Sequence, residues 1–267
     1  MNRIGKFKEK LREFYKNNKR DFPWRKTDNP YKILVSEIML QQTQTQRVSQ
    51  KYVSFLKAFP TFSHLAYEPQ NTVLKEWQGL GYNRRALYLQ RTARTVCEKY
   101  NGILPSLKEE LVTLPGVGPN TAGAVIAFAF NKPAVFIETN IRRVFIHEFF
   151  REKEGVADKE LYPFIEASLD TKNPRDFYYA LMDYGVYLGK AGTNPNRKSK
   201  HYKTQTTFEG SVRQMRGKIL KLLINGEKDT LLLAKEFENR RFFNEALRQL
   251  IGEEFIEKKG RKITLKS

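Results

Sequence analysis

The spacing of apolar residues constrains this chain more than any other feature of its sequence. Leucine, isoleucine and aromatic residues recur every three or four positions through roughly the first two hundred residues, which places them on one face of an α-helix. Alternating apolar and polar runs, which are typical of strands, are almost absent before the end of the chain. Prolines and glycines interrupt the pattern at short intervals. We therefore predict a mainly α-helical body with short connecting loops.

The periodic pattern breaks after Gly189 into a run rich in Gly, Asn, Pro, Ser and Lys, which predicts a domain boundary near residue 204. Beyond it, three apolar-striped helices precede two alternating runs, 255–258 and 262–265, which are typical of a β-hairpin. Residues 205–267 therefore outline a small winged-helix-like domain. Such a module contacts DNA or protein, or it only stabilises the chain, and the sequence leaves both possibilities open.

The basic charge of the chain limits its partners. There are 48 Lys and Arg residues against 29 Asp and Glu, which gives a formal net charge of +19. Such a surface attracts polyanions. Nucleic acid is the leading candidate; an anionic membrane is the rival, but the chain has no stretch of about eighteen apolar residues and no signal-peptide core. From composition we therefore expect a soluble intracellular protein that binds nucleic acid and no membrane.

Cysteine and histidine are scarce in this chain. The single cysteine, Cys97, excludes an internal disulfide, and His64, His147 and His201 are too scattered to form a metal-ligand pattern. We therefore expect no metal site, and we expect Cys97 to be a small buried apolar residue.

The segment 114–118 is a candidate for phosphate binding. Gly116 and Gly118 permit backbone conformations that aim successive amide groups outward, and the helix that follows offers its N-terminus to the same anion. An ordinary turn between two helices is the alternative, and for so short a motif alone it is the commoner explanation. In this basic and helical context we favour phosphate binding, through Gly116, Val117, Gly118 and Thr121.

Glu37 is a candidate catalytic residue because it lies on an apolar helical stripe, one turn from Ile33 and Leu34. A carboxylate there is costly unless it is paired, and desolvation raises its pKa toward the value that a general acid needs. A partly exposed or salt-bridged glutamate is the alternative. The polar run 41–47 follows directly and suits hydrogen bonds to base edges and phosphates, which favours the catalytic interpretation.

The residues from Ser36 to Gln44, SEIMLQQTQ, resemble the signature of the MutY-type adenine DNA glycosylases of the helix-hairpin-helix superfamily. Further stretches follow in the order and spacing of that family, namely 22–25, 79–82, 114–118 and 140–144. The resemblance covers about residues 20 to 190. It implies a two-lobed helix-hairpin-helix glycosylase domain over residues 1–204, with a six-helix barrel at about 25–135 and a second lobe formed by 1–24 with 136–204.

The resemblance also implies roles for individual residues. A mispaired or damaged nucleotide would be flipped from duplex DNA into a pocket between the lobes. There Glu37 would protonate the purine leaving group, and Glu138 would stabilise the oxocarbenium-like sugar. Gln42 and Tyr82 would insert near the estranged base. The remaining substrate contacts would come from Trp24, Arg25, Gln41, Asn120, Asn140 and Tyr179.

Three departures from the family pattern bear on the chemistry. The usual members carry four cysteines after the segment that matches 182–185, and none is present here, so we expect no iron–sulfur cluster and no other cofactor. A basic run at 196–203 stands there instead, and it either contacts phosphate or is a solvated linker.

Asn120 stands where bifunctional relatives have a lysine that forms a Schiff base. Without that amine the covalent route is closed, which leaves hydrolysis as the reaction. Glu138 stands where aspartate is usual, which puts its position and its capping of the next helix in question.

The resemblance therefore leads us to expect a monofunctional glycosylase that removes adenine mispaired with 8-oxoguanine or guanine. It implies a monomer that acts on double-stranded DNA in a prokaryotic cytoplasm, in association with the nucleoid. A thymine or uracil mismatch glycosylase is one alternative, because Tyr179 stands where adenine enzymes often have glutamate. A DNA protein that recognises lesions or structure without catalysis is another, and the retention of Glu37 argues against it.

Overall fold

The computed structural model describes residues 3–192, 194–204 and 207–266, and α-helix dominates these ranges, which confirms the predicted mainly α class. The helices, numbered in chain order, are α1 Arg3–Asn18, α2 Pro30–Leu40, α3 Thr45–Ala58, α4 Phe62–Tyr67, α5 Gln70–Trp77, α6 Arg84–Tyr100, α7 Lys108–Leu111, α8 Pro119–Phe130, α9 Thr139–Phe149, α10 Asp158–Ser168, α11 Pro174–Lys190, α12 Val212–Leu223, α13 Thr230–Lys235 and α14 Arg240–Gly252. The strands are β1 Lys228–Asp229, β2 Ile256–Lys259 and β3 Lys262–Leu265, and 3-10 turns lie at Pro23–Arg25 and Pro195–Lys198.

The chain folds into two compact units, each made from two segments. Unit 1 comprises the described parts of Met1–Ile38 and Leu104–Thr204, and unit 2 comprises those of Met39–Ile103 and Gln205–Ser267. This division differs from the lobe limits expected from the sequence, because residues 39–103 group with the C-terminal segment. The lobe limits stay a prediction.

The pairing of α9 with α11 organises unit 1, and glycine sets how closely these helices approach. A Cβ atom at Gly185 in α11 would lie 2.5 Å from the Cβ of Asn140 in α9, so a larger residue does not fit. A Cβ atom at Gly123 in α8 would lie 2.8 Å from the Cβ of Phe136. Helix α1 packs against α10 and α11. These contacts fix the start of α9, where Glu138 lies.

Unit 2 combines the helices α3 to α6 with the C-terminal segment. Helices α4 and α5 pack on α6, and the rings of Phe55 and Trp77 meet edge to face with centroids 5.7 Å apart. In the C-terminal segment α12 packs on α14, and the strands form an antiparallel sheet in the order β1-β3-β2. The three expected helices and the hairpin are present, whereas the pairing of β1 with β3 was not predicted.

Ion pairs connect the C-terminal segment with α6 inside unit 2. Glu253 pairs with Arg84 of α6 and accepts a hydrogen bond of 2.8 Å from Arg216 of α12. Glu254 pairs with Arg91 of α6 at 3.1 Å. An exposed pair contributes little by itself, but several pairs that share carboxylates restrict the position of the segment.

No helix in the described ranges is long and apolar enough to cross a membrane. Those ranges also contain no cluster of three or more His, Cys, Asp or Glu residues that would hold a metal ion. Cys97 in α6 is half-buried, so the expectation of a buried cysteine was wrong.

Candidate active site

Glu37 lies in α2 among fully buried apolar residues, as the stripe in the sequence predicted. Its helix neighbours Ile33, Leu34 and Ile38 are all at most 1% exposed. Burial of the carboxyl group is the main cause that raises its pKa to about 8, and the negative charge of Glu138 adds to the rise. The positive charge of Arg25 lowers the pKa of Glu37 and so opposes this rise. Glu37 therefore keeps its proton at neutral pH.

Glu138 caps the N-terminus of α9 with its side chain. Its Oε1 accepts hydrogen bonds from the backbone N–H of Asn140 at 2.7 Å and of Ile141 at 2.8 Å. Its Oε2 accepts from Nδ2 of Asn140 at 3.2 Å. Glu138 therefore caps α9 despite its longer side chain, because it satisfies the same orphan amides that an aspartate cap would satisfy.

The two carboxyl groups have different surroundings, which decides which of them holds a proton. Burial raises the pKa of Glu138, but the two backbone N–H donors and the charges of Arg142 and Arg143 oppose that rise. Only Arg25 opposes the rise in the pKa of Glu37. Two neighbouring carboxyls with such unequal support divide into an acid and a carboxylate. Glu37, with a pKa of about 8, is therefore the protonated member, and the N–H donors and arginine charges around Glu138 favour the charged form of that carboxyl group.

Arg143 holds Asn140 in place behind Glu138. Its Nη1 donates to Oδ1 of Asn140 at 3.0 Å and to the carbonyl oxygen of Gly185 at 2.7 Å. Its Nε donates to Oδ1 of Asn194 at 3.1 Å. The Asn140 amide is thus fixed from both sides, which orients the carboxylate that it contacts.

Arg25 and Tyr179 form a second polar group in unit 1. The Arg25 guanidinium, whose side chain is 5% exposed, donates from both terminal nitrogens to Asp183 at 2.8 Å. It lies 4.4 Å above the ring of Tyr179, and that ring stacks on Phe128 with centroids 4.5 Å apart. Within the described chain, Nε of Arg25 and the hydroxyl of Tyr179 are buried without a hydrogen-bond partner. Buried polar groups in that state are suited to receive a ligand.

Asp183 belongs to this group and was not predicted from the sequence. It is 3% exposed and also accepts a hydrogen bond from the Arg20 backbone N–H at 3.1 Å. An acidic residue on the apolar stripe of α11, the signal used for Glu37, would have identified it. Trp24, which was expected in the base pocket, is 4% exposed and stacks on Phe22 with centroids 4.9 Å apart.

The predicted hairpin leads into α8, and its binding of phosphate stays a prediction. Gly116 has a φ of +77°, and Gly118 is the N-cap residue of α8. The N–H of Val117 donates to the Leu114 carbonyl oxygen at 3.1 Å, so it closes the turn itself. Asn120 is exposed, and its Oδ1 accepts from the backbone N–H of Ile137 at 3.3 Å, next to Glu138. Thr121 follows in the first turn of α8.

The basic run 196–203 forms hydrogen bonds with other parts of unit 1. Nδ2 of Asn196 donates to the carbonyl oxygen of Thr139 at 3.0 Å. The backbone N–H of Val156 donates to the carbonyl oxygen of Lys198 at 2.8 Å. Hydrogen bonds hold this segment next to the start of α9.

Gln41, Gln42 and Tyr82 lie in unit 2, on two loops with unusual backbone conformations. Gln42 has a φ of +54° and Tyr82 a φ of +47°, a region that residues with a Cβ atom rarely adopt. Strain of this kind concentrates at functional sites, where surrounding contacts maintain it. Both residues that are expected to insert near the estranged base therefore have strained backbones, as do Asn101, Asn131 and Glu254 elsewhere in the described chain.

Arg85 of α6 provides those surrounding contacts and was not identified from the sequence. Arg85 is 8% exposed, and burial lowers its pKa to about 10. The guanidinium therefore stays charged at neutral pH. The guanidinium donates hydrogen bonds of 2.6 to 3.4 Å to the carbonyl oxygens of Met39, Gln41, Leu80, Gly81 and Tyr82 and to the hydroxyl of Thr43. One buried side chain therefore binds both loops.

Glu37→Gln is expected to raise thermal stability more at alkaline than at acidic pH. The folded protein holds the Glu37 proton up to about pH 8, whereas an unperturbed glutamate releases it near pH 4.5. This carboxyl therefore favours folding below about pH 4.5 and loses that contribution as the pH rises to about 8, while glutamine does not titrate.

Thermal unfolding of both proteins across this range measures the effect. The melting temperature of Glu37→Gln minus that of the wild type should grow with pH. Glu9→Gln, at an exposed position of α1, is the matched control. A difference for Glu37→Gln that does not change with pH would contradict the protonated state of Glu37.

Comparison with known proteins identifies the family of this chain. Residues 35–162 match the HhH-GPD superfamily of base excision DNA repair proteins. The chain is 36% identical over 179 residues to the adenine DNA glycosylase of Buchnera aphidicola subsp. Baizongia pistaciae, covering 67% of this chain and 51% of the relative. It is 33% identical over 231 residues to the adenine DNA glycosylase of Mycolicibacterium smegmatis, covering 80% of this chain and 78% of the relative.

A solved structure is also similar to this one. A thermostable thymine-DNA glycosylase superposes with a TM-score of 0.64 at 29% identity, covering 73% of this chain and 92% of that one. The chain spans about half the length of the Buchnera relative, but it covers more than two thirds of the Mycolicibacterium relative. The chain therefore belongs to the HhH-GPD superfamily of base excision DNA repair proteins.

Proposed function

We propose that this protein is a monofunctional DNA glycosylase that hydrolyses the N-glycosidic bond of adenine mispaired with guanine or 8-oxoguanine. The observation that carries the proposal is a pair of carboxyl groups with unequal surroundings in one unit: Glu37 lies among buried apolar residues, and Glu138 accepts two backbone N–H hydrogen bonds. Hydrolysis of a glycosidic bond commonly uses one carboxylic acid and one carboxylate. The names of the two protein relatives support adenine as the base that is removed.

In the proposed mechanism, the adenine nucleotide leaves the base stack before any bond is broken. Glu37 donates its proton to a ring nitrogen of the adenine, and the bonding electrons of the C–N bond leave with the base. Glu138 stabilises the positive charge that forms on the sugar. Water then adds to the sugar carbon and returns a proton to Glu37, which restores the acid.

We propose that the reaction needs no iron–sulfur cluster. Clusters of the type found in the usual family members require four thiolate ligands, and this chain has one cysteine, Cys97. The residues present therefore do not fit such a group. The hydrogen bonds of Asn196 and Val156 hold the segment that stands in its place.

A thymine or uracil glycosylase is the second candidate. Tyr179 supports it, because a buried phenol hydroxyl without a partner is suited to either base. The similarity to a thymine-DNA glycosylase structure supports it as well. A test of the function must therefore offer both classes of mispair.

An excision assay on a panel of duplexes tests the proposal. The panel contains adenine opposite 8-oxoguanine, guanine and thymine, and thymine or uracil opposite guanine. We expect release of adenine from the first two duplexes, with strand cleavage only after alkali. Borohydride should trap no covalent adduct, because Asn120 offers no amine.

A bifunctional glycosylase serves as the positive control for trapping. Release of thymine or uracil without adenine would favour the second candidate. Binding to mispaired DNA without release of any base would indicate a recognition protein.

A further inference from the structure

Tyr82 is a half-buried aromatic loop residue whose side chain contacts the C-terminal segment. Its backbone is strained at a φ of +47°, and it directly follows Gly81 at a φ of +71°. Arg213, near the start of α12, donates a hydrogen bond from Nη1 to the Tyr82 hydroxyl at 3.0 Å. A strained residue keeps its conformation only where its neighbours determine it. Arg213 is one of those neighbours.

Arg213 also contacts two aromatic rings. Its guanidinium carbon lies 5.6 Å from the ring centroid of Tyr82 and 5.3 Å from that of Phe208. Both distances are within the range of cation–π attraction. The guanidinium thus contacts Tyr82 through both its hydroxyl and its ring, which restricts the rotation of the tyrosine side chain.

A second cation acts on the same ring from α6. The Arg85 guanidinium lies 5.5 Å from the Tyr82 centroid and donates to the carbonyl oxygens of Gly81 and Tyr82. Arg85 therefore fixes the backbone of the loop, while Arg213 fixes the hydroxyl end of the side chain. The ion pairs of Glu253 with Arg84 and Arg216 keep the start of α12 beside this loop.

We infer that the C-terminal segment, through Arg213, positions the Tyr82 ring for contact with a base step at the mispair. This inference rests on the proposed function, because it takes mispaired duplex DNA as the ligand. Aromatic rings stack on bases or wedge between them, and such a contact favours a duplex whose base pair is already weakened. Arg213 is a positioning residue that acts through Tyr82.

A double-mutant cycle tests the coupling. The variants are Arg213→Ala, Tyr82→Phe and the combination of both, and the control is Lys218→Ala, which removes one exposed positive charge from the same helix. Affinity is measured for a duplex with non-cleavable 2′-fluoro-adenosine opposite 8-oxoguanine and for a matched adenine:thymine duplex. A 2-aminopurine next to the mispair reports opening of the base step.

Each single variant should weaken binding to the mispaired duplex by about tenfold, as expected for a lost hydrogen bond to a charged group. The 2-aminopurine signal should fall with it. The double variant should be no weaker than the weaker single variant, because both act on one contact. Lys218→Ala should change binding to mispaired and matched duplexes equally. Additive effects, or equal losses on both duplexes for Arg213→Ala, would overturn the inference.

A measurement on the protein alone separates this inference from the proposed function. Fluorotyrosine placed at position 82 should give a fluorine resonance that shifts in Arg213→Ala and stays unchanged in Lys218→Ala. An unchanged resonance in Arg213→Ala would overturn the inference whatever bases the protein releases. The protein could instead release no adenine while the resonance shifts and the effects of Arg213→Ala and Tyr82→Phe on binding are non-additive. That result would support the inference and contradict the proposed substrate.

Discussion

Replacing Glu37 with glutamine is expected to slow base release by about a thousandfold under single-turnover conditions, because the variant lacks the proton that the leaving base needs. Glutamine has almost the same size, and Glu37 contributes no positive charge to DNA binding. Affinity for the mispaired duplex should therefore stay within a few-fold of the wild-type value. Single-turnover excision and equilibrium binding on the same duplex measure the two effects.

Two further measurements sharpen this prediction. The wild-type rate should fall as the pH rises above about 8, where the carboxyl group of Glu37 loses its proton. Glu9→Gln, which changes a glutamate on the exposed surface of α1, should keep the wild-type rate. A Glu37→Gln variant as active as the wild type would remove this residue from the mechanism.

Glu138→Ala is expected to slow excision by at least about a hundredfold, because it removes the carboxylate that stabilises charge on the sugar. It should also lower the free energy of unfolding by about 1 kcal/mol, because two backbone amides of α9 lose their cap. Glu138→Gln separates these effects, since its side-chain oxygen can still accept both hydrogen bonds. Single-turnover rates and denaturant unfolding of the variants measure them.

Glu138→Asp is the conservative control for this position. Aspartate keeps the charge and caps helices well, so we expect a rate within about tenfold of the wild type. Glu138→Gln should be nearly as slow as the alanine variant but more stable than it, because the side-chain oxygen still caps α9 and only the contact with Nδ2 of Asn140 is lost. An alanine variant that excises adenine as fast as the wild type would refute the catalytic role of Glu138.

The helical class of this fold was predictable because apolar spacing is a local signal. Strand β1 of the C-terminal sheet was not predictable, because its two residues, Lys228 and Asp229, are too few to show alternation. Its pairing with β3 also joins positions far apart in sequence. The grouping of residues 39–103 with the C-terminal segment has the same cause. Ion pairs such as Arg84 with Glu253 link distant positions and leave no periodic trace.

The candidate site was likewise only partly predictable from the sequence. Glu37 was identifiable because a charge on an apolar stripe is visible in one helix, and Glu138 was identifiable through the family resemblance. Asp183 and Arg85 were missed, although each is buried and satisfies several polar groups. Their partners come from other elements, so their importance is visible only in three dimensions. The strain at Tyr82 likewise depends on backbone conformation rather than on residue type.

The single guanidinium that spans the loops of Gln42 and Tyr82 has a consequence for motion. Arg85 donates hydrogen bonds to both loops, so the opening of one loop frees the guanidinium that also holds the other. We therefore expect the fluctuations of the two loops to be cooperative. Backbone amides in the two loops should then exchange with solvent hydrogen through one shared opening event. The two loops behave as one dynamic element, although about forty residues of chain separate them.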